Sequence, residues 1–348
     1  MKKTLILIVV IVMLLTLPAC GQPSSTSAET AAPVQTEAPI QAAEPTQAPV
    51  AAPPSPSDVP DASVPRVIGL SLADASDGWE DFLAACAGIA EEETAELRIE
   101  DAGGDAAVQQ SDIEGFLSAG CRLLIIQCVD AAALHDTLVK ARADGIRVVA
   151  FLSPLGTGDW DAWYRYDDYG IGYAVGEAVG SWLNETHEGK GHVGIFEHPT
   201  DPAMITRVHG IRDALSQTAP EARITATAQC TGKDDAGEEA AAMLSIDPEL
   251  VAFCSYSDTS LLASLRTIAA ARRTPSQFGL FGAGGQEEAL RQIAGKSCYK
   301  STVCLPAETY AADLMDLSLA LLSGESGGVF YAPFTPVTTE NVEDYLPD

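Results

Sequence analysis

Eight cysteines and five histidines supply most of the nucleophilic and metal-ligating side chains of this chain. No C-x-x-C pair occurs, and no histidine stands at a zinc-site distance from a cysteine. Cys121 and Cys128 lie at opposite ends of one predicted strand, roughly 23 Å apart at about 3.3 Å per residue. Cys298 and Cys304 are similarly separated. Because apolar residues flank most of these cysteines, we expect buried free thiols, no structural disulfide and no metal site.

Motifs for catalysis are equally scarce. The Gly-rich stretch at 282–285 is a poor dinucleotide fingerprint, because it lies late in the chain and lacks the third glycine at the required spacing. Neither a G-x-S-x-G elbow nor an H-E-x-x-H helix occurs. His192 and Glu197 fall in a predicted strand, and His198 begins the loop after it, which argues against a metal triad. We therefore expect neither an enzyme nor a bound cofactor.

Cys20 differs from the other cysteines because a signal-like sequence precedes it. Two lysines are followed by a continuous apolar run over 5–17, which is shorter than the about 20 residues of a membrane span. The stretch Leu-Pro-Ala-Cys at 17–20 resembles the bacterial lipobox, in which the signal is cut before a cysteine that then carries lipid. We expect a lipoprotein signal peptide at 1–19 and an anchor at Cys20. An ordinary secretory signal and an uncut anchor are the alternatives, and all three place the remaining chain outside the cytoplasm.

Residues 20–64 are rich in Pro, Ala, Ser, Thr, Gln and Glu and contain no aromatic residue. Such a composition cannot bury enough apolar surface to offset its chain entropy, which predicts a disordered, lipid-anchored tether. A propeptide is the alternative. The net charge of the chain is -29, and no basic patch is visible. Because binding to phosphates requires such a patch, nucleic acid is excluded as an expected partner.

From Arg66 onward, apolar strands alternate with amphipathic helices in two cycles, separated by an aromatic-rich interruption at 158–168. The stretch Leu-Leu-Ile-Ile at 123–126 is typical of a strand that is buried on both faces. The pattern predicts an α/β protein with two Rossmann-like lobes, each built on a parallel sheet. Ligands of such sheets bind outside the carboxyl ends of the strands, so we expect the functional residues there.

Five short motifs in this region follow one another in a familiar order. They are Val-Ile-Gly-Leu-Ser at 67–71 with Asp77-Gly78-Trp79, the segment 120–127 with Asp130 after it, Asp-Gly-Ile-Arg-Val-Val at 144–149, Asp-Asp-Tyr-Gly-Ile-Gly at 167–172, and Phe-Cys-Ser-Tyr-Ser-Asp at 253–258. Together they resemble the type I periplasmic binding proteins, specifically the ribose- and galactose-binding branch. The resemblance covers about 66–322, with Arg147 where that family usually has proline.

The resemblance implies two α/β lobes joined by a three-segment hinge, which close on a small molecule. The first lobe would comprise 66–167 and 306–327, and the second 168–305 and 328–348. The expected role is capture of a sugar-like ligand by a monomer, for delivery to an ABC permease. Sensing, in which the closed form engages a membrane receptor or histidine kinase, is the alternative. A repressor of similar fold would need a DNA-binding segment where this chain has its export signal and tether.

The resemblance also points to ligand-binding residues. Asp77 and Trp79 fall where sugar-binding members place a polar group and a stacking ring, and Gln127 falls where they place an amide or acid. Such residues suit a sugar, because a ring covers C–H groups while an amide both donates and accepts hydrogen bonds.

At other cleft positions the chain departs from sugar-binding members. Ser153 follows the fourth strand in place of an Asp-Arg pair, and Arg207 lies one step beyond the usual arginine. Ser257, Gly284 and Cys304 replace an Asn, an Asp and an amide. These replacements have three interpretations. The ligand is larger or less hydroxylated, the correspondence of these positions to the family is shifted by about two residues, or aromatic residues from the interruption enter the cleft. For those aromatics, Trp160, Trp163 and Tyr164, packing against the hinge is the other interpretation.

Overall fold

The computed structural model describes residues 66–75, 79–231 and 233–346, without the side chains of residues 233 and 234. The predicted signal peptide, Cys20, the tether and Asp77 lie outside the described residues. Among the helices of the described part, none combines the length and the apolar character that crossing a membrane requires.

Within these residues the chain forms alternating strands and helices. The strands are β1 (Arg66–Leu72), β2 (Ala95–Asp101), β3 (Leu123–Ile126), β4 (Arg147–Phe151), β5 (Ala162–Tyr166), β6 (Lys190–Glu197), β7 (Glu221–Gln229), β8 (Leu250–Ser255), β9 (Gly279–Gly284), β10 (Tyr299–Cys304), β11 (Val329–Ala332) and β12 (Thr335–Val337). The helices are α1 (Glu80–Glu92), α2 (Ala106–Ser118), α3 (Ala131–Ala143), α4 (Asp168–Thr186), α5 (Pro202–Thr218), α6 (Lys233–Ile246), α7 (Asp258–Ala270), α8 (Glu287–Ala294) and α9 (Ala307–Leu322), and a short 3-10 helix covers Val342–Tyr345.

The strands form two six-stranded sheets, ordered β11-β5-β4-β3-β1-β2 and β12-β10-β9-β8-β6-β7. All pairings in the first sheet are parallel, and in the second only β12 is antiparallel, against β10. We call each sheet with its covering helices a lobe. This architecture confirms the predicted α/β fold with two lobes.

Helices cover both faces of each sheet, which explains the nearly continuous apolar strands. In the first lobe, α1 and α9 pack on one face, while α2 and α3 pack on the other. In the second lobe, α6, α7 and α8 share one core with the sheet, and α4 and α5 share another. The contact between α4 and α5 is especially close, because a Cβ added to Gly172 would lie 1.8 Å from the carbonyl oxygen of Arg207.

Two parts of the chain differ from the sequence-based expectation. The aromatic-rich interruption contains β5, which inserts between β4 and β11 and extends the first sheet. The tail also stays in the first lobe longer than expected, because β11 pairs with β5 and only β12 joins the second sheet. The last passage between lobes therefore lies after Ala332 and not at residue 328.

Candidate ligand-binding site

In the described residues the chain passes between the lobes three times, after β5, after β10 and after β11. Each passage leaves the carboxyl end of a strand. The third one arrives at Thr335, which pairs with Cys304 at the carboxyl end of β10. The passages therefore connect the carboxyl edges of both sheets, which is where open α/β sheets bind their ligands.

Trp79 lies at this edge of the first lobe, immediately before α1, and is half-buried. Its ring makes edge contacts with Phe82 and Phe151, at centroid distances of 5.3 and 5.8 Å. Phe82 in turn stacks on Phe151 and on Tyr310. Tyr310 belongs to α9, the helix that follows the passage after β10. A buried aromatic cluster thus fixes the indole in place while part of its surface stays accessible.

Gln127 follows β3 at the same edge. Of its two polar side-chain atoms, only Oε1 has a hydrogen-bond partner among the described residues. The Oε1 atom accepts a hydrogen bond from the backbone N–H of Ala73 at 3.2 Å, which ties it to the loop after β1. Gln109 supports this arrangement by donating to the Gln127 carbonyl at 2.8 Å and to the Ser71 hydroxyl at 3.0 Å. Among the described residues, the Nε2 group of Gln127 has no hydrogen-bond partner, so it is available to donate to a ligand.

Ser153 follows β4 and is half-buried. The residue before it, Leu152, has a φ of 56°, a left-handed backbone conformation that is uncommon for a leucine. A hydrogen bond from the Leu152 N–H to the Tyr164 carbonyl, at 2.8 Å, holds this turn. Strained residues of this kind cluster at ligand sites, and this one stands immediately before Ser153.

Arg207 of α5 is engaged by protein groups, and its contact with a ligand stays a prediction. It is only 5% exposed, and its Nη2 donates to Asp168 Oδ1 at 2.7 Å. Its Nη1 donates to the Tyr256 carbonyl at 3.1 Å, and its Nε lies 3.3 Å from Asp168 Oδ1. Asp168 begins α4 directly after the first passage between lobes, so Arg207 braces the hinge. The sequence does not reveal this partner, because Asp168 lies 39 residues away along the chain.

The three remaining predicted residues meet at the carboxyl edge of the second lobe. Ser257 caps α7, and its hydroxyl accepts from the Thr259 N–H at 3.2 Å. Gly284 ends β9 with a φ of +136°, and it pairs with Cys304 at the end of β10. Burial raises the pKa of the Cys304 thiol to about 12, with a further contribution from the charge of Asp258. The thiol is therefore a neutral, small surface and not a nucleophile.

Asp258 is the residue of this region that sequence reasoning missed. It is fully buried, and its carboxylate accepts from Tyr299 Oη at 2.7 Å and from Thr302 Oγ1 at 2.8 Å. The backbone N–H of Gln286 donates to it at 3.0 Å. The Ser-Asp pair at the start of a helix was visible in the sequence, but its partners on β10 lie more than 40 residues away.

The aromatic residues of the interruption pack within the first lobe. Trp160 and Trp163 contact one another at 6.2 Å, and Arg165 lies 4.5 Å above the ring of Trp163. The indole N–H of Trp163 donates to the Leu152 carbonyl at 3.3 Å. Tyr164 is buried, with its hydroxyl 3.5 Å from Asp313 of α9. These contacts support packing beside the hinge as their role.

Among the described residues, several charged side chains near the carboxyl edges are engaged within the protein. Arg207 pairs with Asp168, and Glu197 at the end of β6 pairs with Arg212. Asp130 and Asp201 cap the amino ends of α3 and α5 by accepting backbone N–H groups. In the described residues, the carboxyl edges therefore offer a ring, an amide donor, hydroxyls and main chain, which suit an uncharged polar molecule.

A family model described as "Periplasmic binding protein domain" matches residues 68–326. A xylitol-binding protein of Mycolicibacterium smegmatis is 25% identical over 259 residues, covering 71% of this chain and 70% of that protein. A putative rhizopine-binding protein of Rhizobium meliloti is 26% identical over 287 residues, covering 77% and 86%.

The fold is also shared with a crystal structure of an ABC transporter solute-binding protein from Mycobacterium smegmatis with bound glycerol. The TM-score is 0.66 at 22% sequence identity, and the match covers 82% of this chain and 98% of that chain. The family match covers most of both lobes and the passages after β5 and β10, and it confirms the resemblance. The chain belongs to the type I periplasmic binding protein family.

Proposed function

We propose that this protein is an extracytoplasmic solute-binding protein that captures a small, uncharged, sugar-like molecule between its lobes and delivers it to an ABC transporter. The observation that carries the proposal is that the carboxyl edge of the first sheet holds both an indole fixed by aromatic contacts, Trp79, and the amide of Gln127, whose Nε2 has no partner among the described residues. A ring face and a directed donor are the groups that hold a polyol or sugar.

The similar proteins support the same chemistry. Two of them are named for binding xylitol and, putatively, a rhizopine, and the third has bound glycerol. Xylitol and glycerol are neutral polyols, and the described charges of Arg207 and Glu197 near the carboxyl edges are paired within the protein. We therefore place small polyols and pentoses first among the expected ligands.

The proposal includes a lipid anchor at Cys20. Its support is the short apolar run that ends in Leu-Pro-Ala-Cys and the long Pro- and Ala-rich stretch after it. An anchored binding protein of this kind would stay beside its permease. Replacing Cys20 by Ala is expected to move the protein from the membrane fraction to the soluble fraction, and unchanged fractionation would contradict the anchor.

Thermal-shift screening of purified protein tests the binding role. The panel contains xylitol, glycerol, myo-inositol and arabinose, with amino acids and a uronate as charged comparisons. A ligand at about 100 times its Kd adds about 2.7 kcal/mol of stability, which raises the Tm by several degrees. We expect at least one neutral polyol or sugar to do so. A shift from amino acids alone would overturn the proposal.

Transport and sensing use the same closed form and differ in the membrane partner. Crosslinking of the ligand-saturated protein in native membranes is expected to capture a permease subunit. Capture of a histidine kinase or chemoreceptor would favour sensing instead. Either result leaves the ligand-binding role intact.

A further inference from the structure

The carboxyl edge of the second lobe, which forms the floor of the cleft, contains a glycine-rich turn. The residues of this turn do not by themselves favour one backbone conformation. The turn covers Gly284, Gly285 and Gln286, between β9 and α8. The two glycines have φ angles of +136° and +69° and lack side chains that could hold the turn. Because glycine populates many backbone conformations, something outside the turn must select this one.

Two buried side chains hold the turn. The N–H of Gln286 donates to Asp258 Oδ2 at 3.0 Å, and the N–H of Gly285 donates to Thr302 Oγ1 at 3.1 Å. The Thr302 hydroxyl in turn donates to the Asp258 carboxylate at 2.8 Å, so both anchors belong to one unit. Asp258 and Thr302 are both completely buried.

The carboxylate is arranged as an acceptor on all sides. Tyr299, Thr302 and the Gln286 N–H each donate to it, which matches an ionised carboxylate with acceptor oxygens only. Burial raises the pKa of Asp258, while these donors oppose that effect. Burial of the carboxylate is unfavourable on its own, and the hydrogen bonds from its neighbours compensate for it. The outermost hydrogen bonds of this cluster are those from the Gly285 and Gln286 N–H groups.

Resting on the proposed function, we propose that Asp258 and Thr302 are positioning residues that set the shape of the Gly284–Gln286 turn, with which the second lobe covers the bound ligand when the lobes close. They do not touch the ligand. They hold main-chain groups at the cleft floor, beside Ser257 and Cys304, in a single conformation before binding. Preorganisation of this kind raises affinity by removing the need to order the turn on closure.

Three variants separate positioning from general stability. Thr302→Val keeps the branched shape and removes the hydroxyl that accepts from the Gly285 N–H and donates to Asp258. Thr302→Ser keeps the hydroxyl. Tyr299→Phe removes a donor from the same carboxylate without a direct contact to the turn. The first readout is hydrogen exchange of peptides that contain Gly285 and Gln286 in the ligand-free protein, and the second is the Kd for xylitol.

We expect Thr302→Val to exchange the turn amides about tenfold faster and to bind xylitol about tenfold more weakly. Thr302→Ser is expected to stay within about twofold of the wild type in both readouts. Tyr299→Phe is expected to lower the Tm with a smaller effect on exchange in the turn. Unchanged turn exchange in Thr302→Val, or equal losses in Thr302→Ser, would overturn the inference. If the wild type binds no neutral panel compound, the proposed function fails, while the exchange comparison still decides this inference.

Discussion

The carboxyl edges of the two lobes differ: long side chains stand out in the first lobe, and a glycine turn stands out in the second beside the small side chains of Ser257 and Cys304. The first lobe contributes the indole of Trp79 and the amide of Gln127, each fixed by neighbours in its own lobe. The second lobe contributes a glycine turn whose shape depends on the buried Asp258. Under the proposed function, we therefore expect the first lobe to discriminate between ligands and the second lobe to close over them.

The largest expected effect comes from Trp79→Ala. Loss of the ring removes the apolar face of the site, so we expect the thermal shift by the best polyol to disappear and the Kd to rise about 100-fold, equivalent to about 2.8 kcal/mol. The ligand-free protein is expected to remain folded by circular dichroism.

Trp182→Ala is the matched control, because this indole packs on Phe281 and His187 in the second lobe. It is expected to lower the Tm and preserve the Kd. Equal loss of affinity in both tryptophan variants would show that the first lobe has no special part in recognition.

Gln127→Glu is expected to have the next largest effect. The acid keeps an oxygen that accepts from the Ala73 N–H but removes the amide donor. We expect about tenfold weaker polyol binding, measured by calorimetry, because one buried hydrogen bond is lost and a charge is added. Gln217→Glu, at an exposed glutamine whose oxygen accepts from Tyr173, is the control and is expected to bind normally. Wild-type affinity of Gln127→Glu would remove this amide from the site.

Gly284→Ala tests the main-chain side of the comparison. An alanine at a φ of +136° is strained, and its Cβ would lie 3.4 Å from Asp258 Oδ2. We expect a stability loss of about 1–3 kcal/mol, seen as a lower Tm, and affinity weakened about threefold to tenfold. Gly324→Ala is the control, since this glycine in the first lobe also has a positive φ, of 93°, but lies after α9. It is expected to reduce stability only, and an affinity loss as large as that of Gly284→Ala would contradict the role of the turn.

The smallest effect is a difference in pH dependence between the lobes. In the first lobe, a hydrogen bond to Asp159 raises the pKa of His135 above 6.5. The contribution of His135 to the free energy of unfolding is therefore present below pH 6.5 and is lost as pH rises through the folded-state pKa. In the second lobe, burial lowers the pKa of His187. The free energy of unfolding linked to His187 is therefore fully present above pH 6.5 and is lost as pH falls through the folded-state pKa.

Melting curves between about pH 8 and about pH 5.5 check this difference. His135→Asn is expected to lose more stability relative to the wild type at acidic pH. His187→Asn is expected to gain relative to the wild type on acidification. Parallel Tm–pH curves for the two variants and the wild type would remove the contrast.

The fold was predictable where one local signal dominates. The apolar run at Leu123–Ile126 predicts a doubly buried strand and forms β3, and the helix expected from Ala131 is α3. β5 was missed because its short sequence mixes large aromatic residues with Arg165, which hides the apolar pattern of a buried strand. Its place in the sheet comes from pairing with β4 and the distant β11.

The site was only partly predictable for a similar reason. The structure brings Trp79 and Gln127 to the expected edge, while their contact with a ligand stays a prediction. Arg207 aligns near a ligand-binding position, but Asp168, at the start of a different helix, binds it. Asp258 acquires its role from Tyr299 and Thr302 on a strand that follows much later. Such partnerships depend on tertiary packing, which no local motif encodes.

Small-angle X-ray scattering with and without the polyol that gives the largest thermal shift tests the central claim most directly. If the lobes close on a ligand bound beside Trp79, the radius of gyration falls at saturating polyol and does not change for Trp79→Ala at the same concentration. An identical scattering profile for the wild type with and without saturating polyol would contradict capture between the lobes.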